Sequence, residues 1–379
     1  MKVLHVIPSV AVAHGGPTRA MAEIERALGS RGIACTTLTT NEGLPDGSVP
    51  LGKPVATEFA TRLYFPAVTR FYKASPGLAR WLAGNVSQFD IVHVHALFSM
   101  PPLAAAYFAR RAGVPYIVRP LGVLSPYGMR QRRPLLKQLS FALIERRLVE
   151  SASAVHFTSN AEQAEAKSLH LRCKGVVIPL GIEVAAVPPQ RRLAEGKFRL
   201  LYLARIDPKK NVEGLLRAVA MLAPEYPGLL LRIAGDGPAD YVERLKALAT
   251  ELAIAGRVEW LGYVDGDRKT AAFADAHAYI LTSYSENFGI SVVEALAQGL
   301  PCIVSDQVAI WPDIESAKAG VAVRTDPKSI AAGIRAVLEN GNGYPAMATA
   351  AHRLAASSFS NATMGERLEA LYRDLVRGH

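Results

Sequence analysis

The chain has 379 residues, half of them hydrophobic and a fifth charged, with 30 Gly and 24 Pro; the length points to two domains and the composition excludes an intrinsically disordered chain. No apolar run reaches the roughly 18 residues of a membrane span, and Cys35, Cys173 and Cys302 form no C-x-x-C pair. A disulfide framework and a cysteine metal site are therefore not signalled, and a reducing cytoplasm is the expected compartment. The net charge of +10 is lopsided: residues 1–182 hold 21 Lys+Arg against 10 Asp+Glu, and residues 183–379 hold 22 against 23. Such a basic half suits anionic lipid headgroups, a polyphosphate-linked substrate or nucleic acid, and equally a generic soluble surface.

Short apolar runs alternate with helix-period segments, the pattern of parallel sheets covered by helices. Val3–Pro8 predicts a strand, stopped by its proline, and Pro17–Leu28 a helix entered through His14-Gly15-Gly16. Ile33–Thr40, Asp90–His95, Tyr116–Val118, Ala154–Phe157 and Gly175–Ile178 predict further strands. Pro188-Pro189-Gln190-Arg191-Arg192 interrupts the alternation and reads as a stiff linker. The pattern restarts at Phe198–Leu203 and continues through Leu229–Ala234, Val258–Leu261, Ala278–Leu281 and Pro301–Val304. The fold class is thus α/β, with two doubly wound Rossmann-like units. Their expected bounds are residues 1–182 and 198–358, with a linker over 183–197 and a C-terminal helix in 359–379. That tail carries Leu368, Leu371, Tyr372 and Leu375 on one face.

In open parallel sheets ligands collect at the carboxyl ends of strands. The segment Ser285–Leu296 lies at such a place, after Tyr279–Leu281 and opening a helix-period run. Backbone N–H groups at a helix N-terminus meet phosphate there. Glu286 and Glu294 are eight positions apart, one in the loop and one in the helix. A carboxylate can accept two hydrogen bonds from a vicinal diol; a surface acid plus a helix-dipole acid explains the pair equally well. Gly15 and Gly16 follow the first strand, where glycines permit positive φ and close approach to an anion, or simply an ordinary turn. There is no G-x-G-x-x-G, so dinucleotide binding is not signalled.

Ser285–Leu296 resembles the E-x7-E segment of retaining glycosyltransferases of family 4, of the bacterial polysaccharide-biosynthesis type, and the resemblance spans nearly the whole chain. It includes Tyr202–Asn211, close to the family's G-R-x4-K-N turn, and Ile233-Ala234-Gly235-Asp236-Gly237-Pro238, like its G-x-G-P. His14-Gly15-Gly16-Pro17, Asp90–His95 and Thr158-Ser159 extend it into the first half. The family has glycine where this chain has Ala204. The resemblance implies the GT-B fold, two such domains facing across a cleft, with acceptor bound by the first and nucleotide-sugar by the second. The last helix would return to the first domain.

By that resemblance Arg205 and Lys210 clamp the donor diphosphate and offset charge on the leaving group. Glu294 holds the ribose and Glu286 the sugar; Phe288, Gly289 and Ile290 lend backbone N–H groups. Gly235 joins the donor contacts, and Gly15 and Gly16 face the donor phosphates. His95 approaches the anomeric centre, so His95, Arg205, Lys210 and Glu286 form the expected catalytic set. His93 shares the face of His95 and is expected to be a satisfied core histidine. Two histidines without a carboxylate or cysteine nearby make a metal site improbable, and no metal or other cofactor is expected. Arg119, after a strand, falls where related enzymes bind acceptor.

Two stretches mix basic and apolar side chains. Met129–Leu148 carries Arg130, Arg132, Arg133, Lys137, Arg146 and Arg147 among Leu135, Leu136, Leu139, Phe141, Leu143 and Ile144; the other holds Arg62, Tyr64, Phe65, Arg70, Phe71, Tyr72, Lys73 and Trp81. Each reads as a surface for anionic membrane or a lipid-diphosphate acceptor, or as a helix packed by its apolar face. The implied activity is transfer of a hexose from a UDP- or GDP-sugar to a saccharide acceptor, expected to be lipid-linked, in exported polysaccharide synthesis. It would take place in the cytoplasm, with peripheral contact at the inner face of the membrane, and domain closure would gate it. The rivals are a non-catalytic nucleotide-sugar-binding subunit and a sugar phosphorylase with lysine-bound pyridoxal phosphate. A nucleic-acid partner is not expected, because no aromatic–basic nucleic-acid motif is present.

Overall fold

Strands of a parallel sheet are paired on both edges and need helices on both faces, which the alternating sequence supplies twice. The computed structural model describes residues 1–12, 15–69, 72–124, 134–187 and 196–378. Two α/β units result: Met1–Gly181 together with Asn361–His379, and Ile182–Ser360. Ile182, expected to end the first domain, and residues 183–187 of the expected linker belong to the second unit. The Ile182 N–H donates to Phe359 O at 2.9 Å, and His352 Nε2 lies 2.9 Å from Ala185 O. Pro188–Arg192 lie outside the described residues.

Unit 1 has eight strands: β1 (Lys2–Ser9), β2 (Ala34–Thr40), β3 (Pro54–Ala56), β4 (Thr61–Phe65), β5 (Ile91–His95), β6 (Tyr116–Arg119), β7 (Ala154–Phe157) and β8 (Gly175–Val177). Their order is β3-β4-β2-β1-β5-β6-β7-β8, parallel except for β3 against β4. β3 and β4 escape the sequence reading. Of the two readings left open for the aromatic–basic stretch, the structural one fits most of its residues: Arg62 pairs with Glu25, Lys73 with Glu42, Tyr64 and Phe65 are buried, and Trp81 packs on the core. Arg70 and Phe71 lie outside the described residues. The physical reason is that β4 extends the sheet beside β2, which turns Arg62 under the first helix.

Unit 2 contains β9 (Phe198–Leu203), β10 (Leu229–Ala234), β11 (Val258–Gly262), β12 (Ala278–Leu281), β13 (Cys302–Ser305) and β14 (Gly320–Val323). All pairs are parallel, in the order β11-β10-β9-β12-β13-β14. This is the strand order of the dinucleotide-binding doubly wound fold, with its reversal between β9 and β12. Among the described residues no helix is long and apolar enough to cross a membrane.

The two faces of the unit 1 sheet differ. One is apolar: Leu4, Val6, Leu38, Val92, Val94, Val118 and Val155 pack with Leu78, Leu82, Ala105 and Ala109 of the helices Pro76–Asn85 and Met100–Arg111. The other carries a polar row. His5 is in register with Thr37 and His93, Thr37 with Arg62, and His95 with Arg119. Paired residues in parallel strands share a face, so these side chains line up beneath the helices Gly16–Gly29 and Asn361–Arg377. Glu25 of the first helix accepts from Thr37 Oγ1 at 2.7 Å and from both Arg62 Nε and Nη2. Tyr372 of the C-terminal helix places Oη 2.7 Å from His93 Nδ1.

Burial keeps the imidazoles neutral. It lowers His5 and His156 to about 3, and His93 and His95 well below the usual range, with the Arg119 guanidinium adding to the effect. In an unfolded chain each would titrate near 6.5, so between about 6.5 and 3 the unfolded state binds more protons. The contribution of these groups is therefore complete above pH 6.5 and is lost as pH falls toward 3. Hydrogen exchange of the β5 and β7 segments should accelerate steeply from pH 7 to pH 4, after correction for intrinsic rates. Protection that stays constant across that window would show that the cluster is not acid-sensitive.

Candidate functional site

In unit 2 the loops after β9 and β12 leave in opposite directions, which opens a crevice at the carboxyl ends of these strands. Both loops are tightly held. The Ala204 N–H donates to Ala234 O at 3.1 Å and the Ile206 N–H to Asp236 O at 2.8 Å, fastening the turn after β9 to the turn after β10. A Cβ at Gly235 would sit 1.9 Å from Ala204 O, and one at Gly237 2.1 Å from Ile206 O. Glycine is required at both places by this close approach. The Gly235 N–H itself donates to Gly262 O at 2.8 Å. Gly235, expected among the donor contacts, thus shapes the neighbouring turn and has its own amide occupied. Ala204, where the family has glycine, fits this geometry.

Pro208–Lys210 forms a single 3₁₀ turn, capped by the Asp207 carboxylate, which accepts from the Lys209 N–H at 2.9 Å. Asn211 follows in the left-handed region and caps the helix Val212–Leu222 by accepting from the Gly214 N–H. The turn projects Lys210 onto Glu286, with which it forms an ion pair. The Tyr284 N–H donates to Lys209 O at 2.8 Å, linking the two loops through backbone as well. Glu286 is pinned from its other side: its N–H donates to Gln307 O and its carbonyl accepts from the Ala309 N–H, each at 2.9 Å. Arg205 is exposed at the start of the turn. The Lys209 ammonium is lowered, chiefly by burial; Lys210 and Arg205 push the same way, while Glu286 and Asp207 oppose. Lys209, absent from the expected site residues, is a third cation here; its adjacency to Lys210 was the only signal.

The second loop ends at Gly289, whose φ of +84 favours glycine, and the helix Ile290–Ala297 begins there. The Gly289 carbonyl accepts from Val292 and Val293, so the N–H groups of Phe288, Gly289 and Ile290 precede the helix ladder at its N-terminus. The Phe288 ring is buried, edge-on to Phe359 at 5.7 Å, so only its backbone can serve a ligand. Glu294, one turn on, is buried and forms an ion pair with Lys269 of the helix Gly266–Ala274, at 2.5 Å. Arg205, Lys210, Glu286 and the start of the Ile290–Ala297 helix thus occupy one crevice of unit 2.

In unit 1 strand order reverses between β1 and β5. Gly15 follows β1 with φ +66 and ψ −116, which requires glycine; Gly16 opens the helix, and both are exposed. His14 lies outside the described residues. The His95 side chain is fully buried and that of Arg119 is 3% exposed, because their register places both on the polar sheet face. His95 stacks on His93 at 4.3 Å and its Nε2 lies 3.0 Å from His5 Nδ1. Burial lowers Arg119 to about 10, against the pull of Glu162. Glu162 itself accepts from the Gly122 and Thr158 N–H groups, both at 2.7 Å. His5 and His156 join His93 and His95, a cluster invisible in sequence because it depends on the register of four strands.

His5, His93 and His95 could offer a metal three nitrogens within 4.8 Å of one another. The guanidinium of Arg119 lowers all three imidazoles, and the same field opposes a divalent cation.

Comparison with known proteins agrees with this architecture. A family model described as glycosyl transferases group 1 matches residues 183–354, and one described as a glycosyl transferase 4-like domain matches residues 15–181. A phosphatidyl-myo-inositol mannosyltransferase of Mycobacterium tuberculosis is 28% identical over 335 residues, 84% of this chain and 82% of that one. A glycogen synthase of the same organism is 29% identical over 204 residues, 53% of this chain; the match spans only 49% of that enzyme. Among solved structures, sucrose-phosphate synthase from Thermosynechococcus elongatus superposes with TM-score 0.81 at 17% identity, covering 100% of each chain. Anabaena HepE in complex with UDP and glucose gives 0.75 at 18%, covering 99% of this chain and 100% of that one. With two matched models accounting for both units, the chain belongs to the group 1, or family 4, glycosyltransferases and has the GT-B fold.

Proposed function

We propose that this chain is a retaining hexosyltransferase, moving a hexose from a UDP- or GDP-sugar to a hydroxyl of a saccharide acceptor in exported polysaccharide synthesis. The observation that carries the reading is the Lys210–Glu286 ion pair at the crevice, with Arg205 and Lys209 in the same field. A donor diphosphate would take Lys210 from Glu286, leaving the carboxylate to accept hydroxyls of the sugar. Arg205 and Lys210 would then oppose the charge that accumulates on the departing diphosphate, with no reorganisation at the moment of bond cleavage. Phe288, Gly289 and Ile290 would supply N–H groups, and Glu294 would hold the ribose. In the proposed retaining path the diphosphate leaves from the face the acceptor attacks and helps remove the acceptor proton. Gly15 and Gly16 are the proposed phosphate contacts of unit 1. His95 and Arg119 are left out because both are buried. The proposed chemistry needs no divalent metal or other cofactor, as the cations of the crevice supply the charge.

A lipid-linked acceptor is supported by the basic first half and by the names of two relatives. One is the mannosyltransferase; the other is an alpha-monoglucosyldiacylglycerol synthase of Streptococcus pneumoniae, 29% identical over 57% of this chain and 52% of that one. An exposed apolar stripe adds to it. Leu135, Leu139, Leu143 and Ile144 are 80, 57, 69 and 44% exposed along the helical segment 134–150, which also bears Lys137, Arg146 and Arg147. Met129, Arg130, Arg132 and Arg133 lie outside the described residues. Apolar side chains in the interface with cations at the headgroups is the arrangement of a peripheral membrane helix at the cytoplasmic face.

Thermal shifts against UDP, GDP and ADP should single out one base, since a ligand of the native state raises its stability. With that donor, Arg205→Ala and Lys210→Ala should lower kcat by roughly 10²-fold, while Glu294→Ala should weaken nucleotide binding by about tenfold. Transfer should survive EDTA and keep the anomeric configuration by NMR. Parent-like behaviour of all three variants would refute the site. Replacing Leu135, Leu139 and Leu143 together by Ser should sharply reduce sedimentation with anionic vesicles while leaving the melting temperature near that of the parent. Undiminished vesicle binding would remove the stripe from the membrane contact.

A further inference from the structure

We propose that Lys269 is the positioning residue that makes Glu294 a ribose-selective carboxylate, an inference resting on the donor-site reading above. The Lys269 ammonium and the Glu294 carboxylate meet at 2.5 Å with side chains only 13 and 8% exposed. They come from different helices, Gly266–Ala274 and Ile290–Ala297. The same ammonium lies 5.9 Å from the centre of the Phe273 ring, one turn along its helix. Phe273 is buried, 6.4 Å from Tyr279. The Tyr279 hydroxyl donates to Leu203 O at the end of β9 and lies 2.7 Å from Ser291 Oγ in the first turn of the Glu294 helix. Lys269 is therefore held on a strut that reaches both the β9 turn and the helix bearing Glu294.

The chemistry follows from the pairing. A carboxylate withdrawn from water is costly unless a cation stays beside it. Lys269 supplies that cation and fixes Oε2, which sets the plane of the carboxylate and hence the direction of its remaining lone pairs. Two ribose hydroxyls can bond to an ionised carboxylate so fixed, whereas a protonated or rotated one loses an acceptor. Lys269 thus acts through Glu294, and its effect falls on recognition of the ribose 2′-hydroxyl.

The test compares the affinities of the preferred nucleoside diphosphate and its 2′-deoxy analogue by calorimetry. The full chain is used as parent, Lys269→Met, Lys269→Arg and Glu294→Gln, with Lys269→Gln replacing the Met variant if that one does not fold. The parent should prefer the ribonucleotide by about tenfold or more. Lys269→Met and Glu294→Gln should bring the ratio close to one, while Lys269→Arg keeps most of it. In turnover, the Lys269→Met loss should appear in the donor KM rather than in kcat. A ribose preference retained by Lys269→Met but abolished by Glu294→Gln overturns the role of Lys269 and leaves the donor site standing. A preference retained by Glu294→Gln overturns the donor-site reading itself.

Discussion

The unit 2 site depends on one constraint, the position of β9 between β10 and β12 in a parallel sheet. The chain adds β10 and β11 on one side of β9, then crosses to add β12, β13 and β14 on the other. The loops leaving β9 and β12 therefore diverge, and the crevice between them exists before any side chain is considered. What the sequence supplies locally serves that crevice. Gly235 and Gly237 let the β10 turn support the β9 turn at backbone contact, and Asn211, in the left-handed region, ends the cationic turn and starts a helix at once. A bulkier residue at Gly235 would displace the turn that carries Arg205.

Electrostatics inside the crevice are balanced without being neutral. Arg205, Lys209 and Lys210 stand against Glu286 and Asp207, and the direction of the Lys209 shift records both burial and cation crowding. Preorganised positive charge of this kind is costly in an empty site and productive when a polyanion enters. The Lys210–Glu286 pair limits that cost by giving each group a partner. The same acid that the family resemblance assigns to the sugar is therefore also the counter-ion of Lys210 in the cationic turn. Sequence spacing contains no hint of this, because residues 210 and 286 meet only through the strand reversal.

Legibility followed the range of the interaction. β9, β10, β12 and β7 were readable almost to the residue, since buried apolar side chains dominate each strand even where Arg199, Arg232 or His156 interrupts the run. β3, β4 and β14 were not. β3 is three residues long and β14 is mostly half-buried, and β4 opens on the half-buried Thr61 and Arg62, the latter's charge absorbed by Glu25 from a different element. The E-x7-E segment and the cationic turn were legible because each is local. Lys269, His5 and His156 were not, because a helix-to-helix ion pair and a histidine cluster drawn from three strands have no local spacing. His95 shows the limit from the other side. Its alternation correctly gave the face it shares with His93, but the helices covering that face decide whether it sees solvent or a protein interior.

The polar row of unit 1 bears on how the whole chain achieves its fold. A buried polar group left unsatisfied costs more than a hydrogen bond returns; in this row Glu25 and His93 are partnered, while His5 Nε2, His95 Nδ1 and Arg119 Nε and Nη1 have no hydrogen-bond partner. Part of that satisfaction comes from the far end of the chain. Tyr372 caps His93, Glu369 binds Arg31 at 2.5 Å and the Asn361 amide donates to Glu23 at 2.7 Å, all from the C-terminal helix. The apolar face of that helix, with Met364, Leu368 and Leu371, is buried in the same unit. Unit 1 therefore cannot complete its covered face from its own contiguous segment and must wait for residues beyond the whole of unit 2. Contacts of such long sequence separation close large loops before they return any stability. The second unit has no such debt, since its described segment is continuous from 196 to 360. Its crevice can form from its own chain segment, while the polar face of the first unit is complete once the last helix joins the helix Gly16–Gly29 over it.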